Sequence, residues 1–279
     1  MGPTIGGAGR DERLPRRGRS ERLGGPVGCR GVSDHEIPWG MQIAVRYDKV
    51  RPPRRIDVAE AAARAVVALL ASPQAACGGA WHDAVERWRS RRIRKLVRRA
   101  RGRRWEEVQE LAGVTVMQDG PAGWGTAAAR AFVPGPVRPL PPPLAKTQVE
   151  GTHFPHGDEL PPPPAAITEA LARDPGATTG IELTGESISS SALVTLEVTP
   201  LEEMTSGKLC AQVAHAAQLA WQSPAMPEAV RSAWAAQDYR VRVSFPTPEA
   251  WEAASRPVSV VDAGFTELDG PRETTRARW

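Results

Sequence analysis

Lysine is nearly missing from this chain. Of its 36 basic residues only Lys49, Lys95, Lys146 and Lys208 are lysine, and the rest are arginine. A lysine ammonium is compact and its pKa responds to burial, which a guanidinium's does not. Each lysine is therefore a mild sign that an ammonium is wanted there. Cysteine is also scarce. Cys29, Cys77 and Cys210 are odd in number and show no CxxC or His-paired spacing. That argues against a disulfide framework or a zinc site and fits a reducing, cytoplasmic setting. Long apolar runs are missing too. The longest, residues 59–71, contains Glu60 and Arg64 and is too short to cross a bilayer. The first residues carry Arg and Gly without an apolar core segment, so no secretory signal is expected. A soluble protein with no membrane partner is the expectation. The net charge of +4 is modest, but it hides strong clustering of Arg.

Residues 1–37 are rich in Gly, Arg and Pro and lack periodicity, which predicts a disordered basic tail. Residues 38–150 form an N-terminal α/β region. Gln42–Tyr47 alternates as a strand, and Ile56–Ala71 has a helical pattern ending before Pro73. An apolar stripe of Val85, Trp88, Ile93, Leu96, Val97 and Ala100 predicts one basic helix over residues 80–104, continuing past Gly102 towards Leu111. Val114–Met117 and Arg130–Val133 read as short strands. Pro134–Leu144 and Pro155–Pro164 read as stiff proline-rich spacers, the second inside a linker over residues 151–191. The final region, residues 192–279, is again compact. Strands alternating with helices predict an α/β fold with a mixed or parallel sheet.

The most informative stretch lies in that final region. In residues 193–199, Val194, Leu196 and Val198 share one face and Thr195, Glu197 and Thr199 the other, as in a half-buried strand. Thr205 or Ser206 then caps a helix. On it Leu209, Val213, Ala216 and Ala220 form an apolar face. Lys208, Ala211, Gln212 and His215 form another. A cation, an amide and an imidazole at a helix N-terminus suit a phosphate or a polarised carbonyl. Cys210 reads as core packing. Met226–Ala236 is a predicted helix carrying Trp234, Tyr239–Phe245 a strand, Pro248–Ser255 a short helix, and Pro257–Val261 a strand ending at Asp262-Ala263-Gly264.

These residues resemble a known family. Gly207-Lys208-Leu209-Cys210-Ala211-Gln212-Val213-Ala214-His215-Ala216 is similar to the GK-x-A-A-Q-x-x-H-A helix of type 2 peptidyl-tRNA hydrolases. Asp262-Ala263-Gly264-Phe265-Thr266-Glu267 is similar to their D-A-G-x-T-[QE] turn, and Thr274 falls at the family's next threonine. The resemblance covers roughly residues 192–279. It implies a small α/β sandwich around a mixed four-stranded sheet, hydrolysis of the peptidyl-tRNA ester, tRNA as partner, and no metal or organic cofactor. It also implies a site built from Lys208, Asp262, Thr266 and Thr274, with Gly207, Gln212 and Gly264 as substrate-binding residues. Lys208 would hold the oxyanion or a terminal phosphate, and Asp262 would orient Lys208 or a water. Thr266 and Thr274 would position that water or donate to the carbonyl. His215 would act as acid or base, or only orient Gln212. The chain departs from the family at Thr199-Pro200-Leu201-Glu202-Glu203, where an Arg-x-Asp-Leu-type stretch is usual.

The Arg-rich stretch, Arg98 and Arg101 in particular, suits sequence-independent contact with phosphate backbones. The first half also follows a succession of elements like that of the second, with Trp105 matched to Trp234. It predicts a degenerate, inactive second copy, a built-in partner in place of a homodimer. The alternative function is a non-catalytic RNA-binding protein on the same scaffold. A weaker third reading is an interaction module using the proline runs.

Overall fold

The computed structural model describes residues 37–121, 124–156, 159, 185–264 and 268–279. The predicted basic tail, the Pro161–Pro164 run and Thr266 lie outside them. Residues 37–279 form one compact unit. Among the described residues, no helix is long and apolar enough to cross a membrane.

The fold is α/β, with two mixed sheets. The first half runs β1 (Trp39–Arg46), α1 (Arg55–Leu70), α2 (His82–Arg89), β2 (Lys95–Ala100), α3 (Arg103–Val108), β3 (Gly113–Gln118) and β4 (Ala127–Phe132). A two-residue strand, β5 (Gly135–Pro136), and α4 (Pro142–Ala145) follow. The second half runs β6 (Val194–Val198), α5 (Ser206–Gln222), α6 (Glu228–Ala236), β7 (Val241–Ser244), α7 (Pro248–Ala253), β8 (Val258–Asp262) and β9 (Arg272–Arg278).

The two halves share one topology. The sheets have the orders β2-β1-β4-β3 and β7-β6-β9-β8. In each, the first two strands pair in parallel and the other pairs are antiparallel. Registers agree as well. Ile43 faces Val97 and Ala131 across its sheet, as Leu196 faces Val243 and Ala277. Trp88 is fully buried and donates its indole N–H to Arg94 O at 3.1 Å, and Trp234 does the same to Arg240 O at 2.8 Å. Trp88, Arg94, Trp105 and Arg130 stand 146 positions before Trp234, Arg240, Trp251 and Arg276. The counterpart of Trp234 is therefore Trp88. Trp105, matched to Trp234 on sequence, corresponds to Trp251.

That mismatch follows from a second one. The single basic helix expected over 80–104 is a helix, α2, and a strand, β2, with α3 starting afresh at Gly102 (φ 49°). Val97 packs into the core between the sheets and Ala100 into the cluster on the outer side. A strand covered on both faces loses its period of two. Its buried residues then fell by chance at helical spacing. The same cause applies to β6, read as half-buried. Every residue of it is buried, because it is central and because Arg256 and Arg278 cover Glu197 at 2.7 Å and 3.1 Å.

Helices α1 and α5 form the middle layer and pack on each other. α1 lies on β3 and β4 of its own sheet and reaches β7 of the other. α5 lies on β8 and β9 and reaches β2. This exchange explains why α1 is apolar nearly all round, with 13 of its 16 residues buried. The segment 134–144, expected as a spacer, is folded. β5 pairs with β1, Pro141 and Pro142 open α4, where Pro lacks no needed N–H, and Leu144 is buried. The described ends of the predicted linker are packed too: Phe154, Ser187 and Ser189 are buried.

Candidate functional site

The second half brings five of the predicted site residues, Lys208, Gln212, Asp262, Gly264 and Thr274, into one hydrogen-bonded set. Thr205 caps α5, its hydroxyl accepting from Lys208 N at 3.2 Å. This fixes Lys208 on the first turn. β8 ends at Asp262, and the chain turns at once. Gly264 sits at φ 75°, and a Cβ there would lie 2.3 Å from Gly270 O. Only glycine fits both conditions. Its N–H donates to Asp262 Oδ1 at 2.9 Å. Asp262 Oδ2 takes Lys208 Nζ at 2.7 Å and Gln212 Nε2 at 2.6 Å.

Gln212 is oriented from behind. Thr274, fully buried on β9, donates from Oγ1 to Gln212 Oε1 at 2.9 Å, with a longer contact to Val260 O at 3.3 Å. Because the amide oxygen is engaged by a hydroxyl, its NH2 must face Asp262. The result is a relay from the buried Thr274 through Gln212 to Asp262 and Lys208. Only the last two reach the surface, with side chains 16% and 10% exposed. Gly207 lies beside them. A Cβ there would make only an ordinary 3.7 Å contact with Thr152.

The electrostatics follow from these bonds. Partial burial works against the Asp262 anion. The Lys208 ammonium and the donors Gly264 N–H and Gln212 outweigh it, and hold the carboxyl below its usual range. Asp262 is thus an anchored anion at neutral pH, and the ion pair persists as the pH falls until below that range. His215 is different. Burial, and then the nearby Lys95 cation, push its pKa down to about 3, against a small opposing pull from Asp262. It stays a neutral imidazole, and among the described residues it has no hydrogen-bond partner. Cys210 is buried, with its thiol pushed up to about 12, which fits packing.

The arginines expected to meet RNA belong to the other half. Arg98 is half-buried on β2 and donates to Gln42 Oε1 at 2.7 Å. Arg101 is exposed just past the end of β2. Two supporting residues were missed on sequence. Thr275 donates to Gln212 O at 3.2 Å, and Glu197 anchors the arginines beside β9. The signal for Thr275 is its place in a strand buried on both sides, which alternation does not reveal. Among the described residues, no three His, Cys, Asp or Glu side chains cluster as metal ligands. No family model, curated protein or solved structure matches this chain.

Proposed function

We propose that the chain hydrolyses the ester joining a peptide to the 3′ ribose of tRNA, releasing peptide and free tRNA. What supports the reading is the buried Thr274–Gln212 relay that locks Asp262 onto Lys208 at the mouth of α5. Ester hydrolysis needs an attacking water, a group to orient it and a charge facing the developing oxyanion. Lys208 supplies that charge where water is partly excluded, so its field is stronger than in bulk solvent. Asp262 fixes the ammonium and accepts from the water. A carboxyl held below its usual pKa is a poor base, so its part is positioning. His215, neutral at working pH, is a weak base as well. Thr274 and Gln212 are positioning residues that act through Asp262.

The test is release of tRNA from an N-acyl-aminoacyl-tRNA. The intact chain releases it, and Lys208→Ala or Asp262→Asn lowers the rate about 100-fold or more, the scale of losing one charge aimed at an oxyanion. No release by the intact chain, or near-normal release by either variant, rejects the reading. Binding of tRNA without release would favour the non-catalytic alternative.

A further inference from the structure

The first half lacks the Lys–Asp pair but carries a feature that the second half lacks. At the carboxyl ends of β1 and β2 lies a cleft of about 820 Å³. Lys49, Arg99, Arg101, Arg103 and Arg104 line it, and among the described residues no carboxylate does. Like charges gathered in one cleft repel unless an anion joins them. Two of the arginines are held by neutral groups. Arg99 donates to Gln148 Oε1 at 2.9 Å and lies 5.5 Å from the Tyr47 ring centre, and Arg104 donates to Lys146 O at 2.7 Å. Arg103 pairs with Glu107 at 3.0 Å. Lys49 and Arg101 are exposed.

A general bias towards arginine does not explain the cleft, because the corresponding place in the second half gathers no such set of cations among the described residues. Past β6 and β7 a smaller cleft of about 430 Å³ is lined by Glu202 and Glu203 together with Arg55, His156, Met204 and Phe245, among others. One scaffold position thus gathers cations in one copy and carries mixed charge, with two glutamates beside one arginine, in the other.

We infer that the cleft of Lys49, Arg99, Arg101, Arg103 and Arg104 binds consecutive backbone phosphates of an RNA strand. It is too large for a single phosphate and has the size of a site for an extended ligand. One of its lining residues, Gln148, is also tied by a short chain segment to the start of α5. Gln148, bonded to Arg99, is six residues before Phe154, whose N–H donates to Ser206 Oγ on the first turn of α5 at 3.0 Å. Six residues span at most about 22 Å. The choice of RNA, with its 3′ end directed to Lys208, rests on the proposed hydrolase function. The anion-binding role does not.

Fluorescence anisotropy with a labelled RNA hairpin bearing a single-stranded 3′ end and no ester tests this on the full chain. Lys49→Glu with Arg101→Glu weakens binding at least about tenfold at 0.1 M salt. It also lowers the slope of log affinity against log salt by about one to two. Arg240→Glu with Arg242→Glu, an equal charge change in the second half, shifts affinity by less than about twofold. Unchanged affinity in the cleft variant, or equal losses in both, overturns the inference. So does inorganic tripolyphosphate competing as strongly as the RNA, which would make this a site for small polyphosphates. Because the probe has no ester, the cleft fails on binding alone and the hydrolase reading on turnover alone.

Discussion

In the first half β3 ends at Gln118, and in the second β8 ends at Asp262. Each strand end meets two residues four apart on its own long helix. Gln118 donates to Glu60 Oε2 at 2.8 Å and accepts from Arg64 Nη1 at 2.7 Å. Asp262 accepts from Lys208 and Gln212. The architecture is the same and the chemistry is not. An amide can bridge an acid and a base and leave neither in need of a partner. A carboxylate can hold an ammonium in place at the surface. The support behind them differs in the same way. Thr274 occupies the β9 position of Ala128 in β4 (each 146 apart, as with the tryptophans), so the first half has no hydroxyl at that position. One half has become structural at this position and the other polar and poised.

The comparison can be broken or sharpened by substitution. If the halves are structural equals, Trp88→Ala and Trp234→Ala cost similar stability, each about 3–5 kcal/mol, since both are fully buried with the same indole bond. Denaturant unfolding checks it, and a loss confined to one variant would end the equivalence. The next effect is asymmetric. Glu60 has no acidic counterpart bridging from α5. Burial, resisted by hydrogen bonds from serines and from Val243 N–H, raises its pKa to about 7. The folded state therefore holds a proton that the unfolded chain has released, between about pH 4.5 and 7. Stability from this group is present at the low end and lost as the pH rises, by on the order of 3 kcal/mol. Melting temperatures of Glu60→Gln should lack that downward slope. An identical slope in the variant would show that another group is responsible. The smallest effect concerns the relay. Thr274→Val removes the hydroxyl and keeps the shape. It lowers turnover about tenfold, about 1.4 kcal/mol in the barrier, with KM nearly unchanged. A change in KM alone would place Thr274 in binding instead.

The second half was legible because its signals are local. A capping Thr205, an i, i+4 pair on α5 and a glycine after Asp262 are all short-range features, and the structure joins them at 2.6–3.2 Å. Thr274 was legible only through the family resemblance. Nothing in Thr274-Thr275 by itself indicates that one hydroxyl points at Gln212 Oε1 and the other at its carbonyl. The first half was misread where burial is two-sided. β2 is covered by α5 on one face and by the cluster around Val108 and Leu144 on the other. Its covering helix comes from more than 100 residues later in the chain, so no local pattern could announce it. The likeness of the halves was suggested by a succession of elements that left out β2 and matched the wrong tryptophan. Its residue-level match required the buried indoles.

Helices α1 and α5 each reach across to the other half's sheet, as two subunits of a dimer would, yet one chain carries both. In a dimer of identical copies every substitution appears twice, at both symmetry-related places. A charge suited to one task is then imposed on the other site as well. Joining the copies removes that constraint. Asp262 can be kept while Gln118 stands opposite it, and arginines can gather beside β2 while glutamates occupy the corresponding place after β6. The covalent link thus lets two equivalent positions hold incompatible charges.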